Sequence, residues 1–80
     1  MKDSELHEHI ESLIAEEHRL LAHGDAGSIS ADDRARLDRI SVTLDQYWDL
    51  LRQRRARRDA GQDPNVAHMR SENVVERYQQ

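Results

Sequence analysis

The sequence predicts an all-α protein: an antiparallel two-helix hairpin with a C-terminal extension and a short third helix, dimerising into a helical bundle. Three observations carry this. Apolar residues recur at spacings of three, four and seven along two segments. A glycine-bearing loop of six residues separates them, short enough to make the helices antiparallel neighbours. Finally, 80 residues of which 36% are hydrophobic, with no Phe, hold too few large side chains for a self-sufficient core. Self-association or partner binding is the expected remedy.

The hairpin is assigned to residues 1–61, with helices at about 4–23 and 31–60, and a partly ordered extension to 62–80. In the first helix Ser4 is the expected N-cap. Leu6, Ile10, Leu13, Ile14, Leu20 and Leu21 form the apolar stripe, and Glu5, Glu8, Glu11, Glu16 and Arg19 the opposite face. Gly24 is the expected stop. After the loop, Ser30 followed by Asp32 and Asp33 reads as an N-cap with acids in the first turn. Leu37, Ile40, Leu44, Tyr47 and Leu51 then form a heptad-like, coiled-coil seam. Ala60-Gly61 should end the second helix, and Pro64 closes the region to further helix. Matching the stripes places Leu20 near Leu37, Leu13 and Ile14 near Leu44, Ile10 near Tyr47 and Trp48, and Leu6 near Leu51. The run Ser71 to Tyr78 suits two turns of capped helix, marginal alone. Ile14, Leu21, Trp48, Val74, Val75 and Tyr78 remain as candidates for a second interface.

The net charge of −4 hides an asymmetry: residues 1–33 carry net −7, residues 34–58 net +5 and residues 59–80 net −2. The basic block culminates in YWDLLRQRRARR, Tyr47 to Arg58, where the only Trp adjoins five arginines in seven residues. Guanidinium groups pair bidentately with carboxylate and phosphate. The expected partner-binding residues are therefore Arg52, Arg54, Arg55, Arg57, Arg58, Trp48 and Tyr78. Because the apolar seam ends at Leu51, Arg52 to Arg58 is expected to project past the start of the first helix. The targets weighed are acidic residues of the same or a second chain, an acidic protein partner, and nucleic acid. The last is disfavoured by the acidic chain, with a pI near 5.7, and by the lack of a second basic element.

Other chemistries find little support. With no cysteine, disulfides, thiolate catalysis and Cys-based zinc sites are excluded. His7, His9, His18 and His23 all fall on the first helix, and His7-Glu8-His9 is too tight to place two ligands on one face. These are expected to be exposed helix histidines. No metal, cofactor or catalytic residue is assigned, and no enzyme activity is expected. No stretch approaches the ~20 apolar residues of a membrane span, and no N-terminal apolar run resembles a signal peptide. A cytoplasmic location is the expectation.

The run YWDLLRQRRARRDAGQDPNVAH, preceded by EEHRLL and followed by ENVVERY, resembles the domain of unknown function 2630 family of short actinobacterial proteins. The resemblance covers nearly the whole chain and is most specific over Leu44 to Pro64 and Val74 to Tyr78. It implies a small, mostly helical, cytoplasmic bacterial protein and carries over no catalytic or binding residue. The functional expectation is a non-enzymatic protein–protein interaction or adaptor module that self-associates. The alternative is a small nucleic-acid-associated regulator that sets Arg52–Arg58 on phosphates.

Overall fold

In the computed structural model, residues 2–23 and 29–78 are described, with side chains through Val75. Helix α1 spans Asp3–His23 and helix α2 spans Ala31–Asp59. A single 3₁₀ turn, Pro64–Val66, and a short helix α3, Glu72–Tyr78, follow. There is no strand among the described residues.

The start of α1 differs from expectation. Ser4 lies inside the first turn, because the Leu6 amide already bonds back to the Lys2 carbonyl. The Lys2 amide in turn donates to Glu5 Oε1 at 3.3 Å, so Glu5 closes the turn from within. Asp3 is thereby left free for a tertiary contact. The expected stop at Gly24 lies outside the described residues. At α2, Ser30 is the N-cap: its Oγ accepts the Asp33 amide at 3.1 Å.

The end of α2 is a Schellman turn. The Gln62 amide bonds to the Arg57 carbonyl at 2.7 Å and the Gly61 amide to the Arg58 carbonyl at 3.1 Å. Gly61 adopts a φ of 74°, a conformation a Cβ would penalise. Pro64 opens the 3₁₀ turn, capped by Asp63 Oδ1 accepting from the Asn65 amide at 2.9 Å.

The register follows from the matched stripes. His9 stacks on Tyr47 with ring centroids 5.7 Å apart. Arg36 forks onto Glu16 at 2.6 and 2.7 Å, holding Glu16 below the usual carboxylate range through that hydrogen bond, with the Arg36 and Arg19 charges adding to it against a smaller desolvation effect. Leu6, Ile10, Leu37 and Ile40 are buried between the helices.

The tail supplies what the stripes do not foretell. Residues 64–75 retrace α2 in the reverse direction, along a second side of that helix. The anchors run in order. Arg54 Nη1 donates to the Pro64 carbonyl, and Gln53 Nε2 to the His68 carbonyl at 2.9 Å. Gln46 Nε2 donates to the Arg70 carbonyl at 3.2 Å, and Arg39 pairs with Glu72 at 2.6 Å. Val75, only 1% exposed, is the tail's buried apolar anchor. Hence Asp49 and Leu50, off the seam, are buried as well.

The molecule is elongated, measuring 51 × 26 × 15 Å. The chain exposes 5763 Å², against roughly 5,000 Å² for a compact monomer of its mass.

Candidate functional site

The arginine run is not an overhang. Helix α1 begins early enough for Asp3 to stand beside the C-terminal turns of α2. Arg54 Nε donates to Asp3 Oδ1 at 2.5 Å and Arg58 Nη2 to Asp3 Oδ2 at 2.9 Å. Arg54 is only 6% exposed, and its Nη1 also reaches the Pro64 carbonyl and Asn65 Oδ1, both at 3.2 Å. One guanidinium thus ties α1, α2 and the tail together. The hydrogen bond from Arg54 holds the Asp3 carboxyl below its usual range; burial opposes this, while the Arg58 bond and both charges reinforce it.

Spacing along α2 divides the run into three groups. Arg54 and Arg58 turn toward Asp3. Arg57 is half-buried, and its Nη1 lies 3.4 Å from Gln62 Oε1 beside the Schellman turn. Arg54, expected at a contact surface, is a structural residue instead, and its burial removes it from any partner in this conformation. Arg52 and Arg55 are exposed, and neither has an ion-pair partner among the described residues. They follow Trp48 at i+4 and i+7, one face of the helix. Trp48 is 39% exposed.

This face borders a groove of about 250 Å³ between the two helices. Trp48 and Leu51 give it apolar wall, Arg52, Arg55 and Arg58 give it positive charge, and Asp3 and His7 contribute from α1. Nothing in the spacing of His7, expected as an exposed helix histidine, signals that it lines a groove. Tyr78 lies in α3, with its side chain outside the described residues. Val75 is spent within the chain, whereas Leu21 and Val74 are 47% and 41% exposed.

The groove can bind and orient an acidic group. Its lining holds no Ser, Thr, Cys or Lys side chain to serve as a nucleophile. Among the described residues no three His, Asp or Glu side chains converge as a metal site, and no helix is long and apolar enough to cross a membrane.

The chain belongs to the family described as protein of unknown function (DUF2630), whose model matches residues 2–80. Uncharacterised proteins of Mycobacterium tuberculosis and Mycobacterium bovis are 49% identical to it over 77 residues, covering 95% of this chain and 88% of theirs. No solved structure matches.

Proposed function

We propose that this member of the family is a non-enzymatic interaction module that self-associates and presents the Trp48–Arg52–Arg55 edge to an acidic partner protein. The observation that carries the reading is this edge: two guanidinium groups, unpaired among the described residues, beside a half-exposed indole on a helix packed along both of its sides. Exposed aromatic and arginine side chains are the residue types that dominate binding at protein interfaces.

Self-association is supported by the small core, six buried apolar side chains among the described residues, and by the large accessible surface. The accessible surface in excess of a compact monomer is about 800 Å², close to one partner's share of a standard interface. A second copy laid on one face of the hairpin would complete a bundle.

The nucleic-acid reading loses ground. Each phosphate that a protein neutralises steepens the salt dependence by about 0.9 in log–log slope. Arg54 is buried, Arg58 is shared with Asp3 and Arg57 is half-buried beside Gln62, so only Arg52 and Arg55 of this cluster remain wholly available for phosphates.

Two measurements test the reading. Sedimentation equilibrium at micromolar concentration should show a dimer; a stably folded monomer would refute self-association. Capture from host lysate after nuclease treatment should compare the wild type with Arg52→Glu/Arg55→Glu. A set of acidic proteins lost with the charge reversal supports the reading. Retention that vanishes with nuclease supports nucleic acid instead.

A further inference from the structure

We infer that the acidic feature this groove accepts is a phosphate monoester carried on a planar ring, in a partner protein a phosphorylated tyrosine side chain. The inference rests on the acidic-partner reading and specifies its chemistry.

The charge balance of the groove comes first. Its lining holds three guanidinium groups and one carboxylate. That carboxylate, Asp3, already accepts from Arg54 and Arg58. Arg52 and Arg55 are left with two positive charges and no acid. One further carboxylate would neutralise one of them. A phosphate monoester carries about −1.5 to −2 at neutral pH and three strong acceptor oxygens. Each guanidinium fork can engage two of those oxygens. Charge and acceptor count therefore match a phosphate better than a Glu or Asp side chain.

The apolar wall selects what carries the phosphate. Trp48 is 39% exposed, and the ring stacking found among the described residues is that of His9 on Tyr47. The indole therefore has no ring partner among them. Leu51 lies one turn further along the same groove. A flat ring placed there gains aromatic contact beyond its buried area.

Size and shape favour a residue in a chain over a free small molecule. The groove holds about 250 Å³, just under the range of roughly 300–1,000 Å³ for sites that enclose a drug-sized ligand. One ring with its phosphate fits. The site is also open along one side. A free ligand needs most of its surface buried to bind well, whereas a side chain anchored in a partner gains from contacts made elsewhere on that partner.

The chain has a single Trp, so its fluorescence reports on this groove alone. The test is a titration of the full chain with an acidic peptide bearing one phosphotyrosine, beside the same peptide carrying Tyr or Glu at that position, and beside adenosine monophosphate. The expected result is a saturable change in Trp48 emission, at least tenfold tighter for the phosphopeptide than for the other three ligands. It should be lost in Arg52→Ala/Arg55→Ala and kept in Arg57→Ala, with circular dichroism confirming that both variants fold. Equal affinity for the Glu peptide overturns the phosphate inference and leaves the acidic-partner reading standing. Tighter binding of adenosine monophosphate overturns the peptide assignment. No response to any peptide also refutes the inference, while the capture experiment judges the acidic-partner reading separately.

Discussion

Replacing Asp3 with Asn should destabilise the whole fold, although Asp3 is the first residue of a terminal helix and looks dispensable. The substitution keeps shape and removes charge. In the wild type the carboxylate accepts from Arg54 and Arg58. Arg58 is half in water, its side chain 51% exposed, and an exposed pair of that kind contributes well under ~1 kcal/mol. Arg54 differs. Its side chain is 8% exposed, and its charge loses the one ionised partner it has among the described residues. Breaking a fully buried pair costs about 3–5 kcal/mol. Two features reduce that figure here: the Asp3 side chain is 37% exposed, so water can enter, and Arg54 keeps the Pro64 carbonyl and Asn65 Oδ1. A net loss of about 1–2 kcal/mol remains, the range of one charge-assisted hydrogen bond. For a domain of this size that lowers the melting temperature by roughly 4–15 °C.

The assay is thermal and urea unfolding followed by far-ultraviolet circular dichroism, with wild type and variant at equal protein concentration. The pH dependence supplies an independent check. Because the folded-state pKa of Asp3 is depressed, its contribution is fully present above about pH 4. It is lost as pH falls through the folded value. The wild type should therefore lose more stability than Asp3→Asn does as pH falls below about 4. An Asp3→Asn protein as stable as wild type at neutral pH would refute the clamp and return Arg54 to the role of an exposed overhang.

Two further substitutions test the tail and its turn. Gly61→Ala should cost about 1 kcal/mol from the backbone alone, since φ is 74° and a Cβ there meets nothing within 4 Å; urea titration measures it, and a neutral result would show that the Schellman turn is not needed. Val75→Ala should cost about 1–2 kcal/mol, because that side chain is 1% exposed. Hydrogen exchange should then quicken first at the amides of residues 68–75, and uniform quickening along α2 would show that the tail does not open separately.

The hairpin is legible in the sequence because its determinants are local or periodic. Ser30 with Asp32 and Asp33 announces a helix start wherever it occurs, and Ala60-Gly61 announces an end. The stripes of α1 and α2 match at one register, which places His9 beside Tyr47. The second packed side of α2 is not legible. Its members Gln46, Asp49 and Gln53 are polar, and hydropathy assigns polar faces to water. Their partners are largely backbone carbonyls of His68 and Arg70, together with the Arg70 guanidinium 3.6 Å from Asp49. Backbone carbonyls carry no sequence signature. Val42 and Leu50 offer the apolar hints, and Leu50 is hidden beside Leu51 in the seam.

The arginine run follows from the same cause. As a string, five arginines in seven residues look like one surface. A helix with one packed side would expose most of them. A helix packed on two sides sorts them by angle: Arg54 falls in the notch where α1, α2 and the tail meet, and Arg58 lies beside Asp3. Arg57 stays with the Schellman turn. Only Arg52 and Arg55 keep the free side they share with Trp48. The tail thus confines the available charge to one edge, because it draws Arg54 out of the basic surface. A chain cut after Gly61 would release Arg54 from Pro64 and Asn65 and broaden its basic surface. It should then bind acidic polymers with a steeper salt dependence and less selectivity than the full chain.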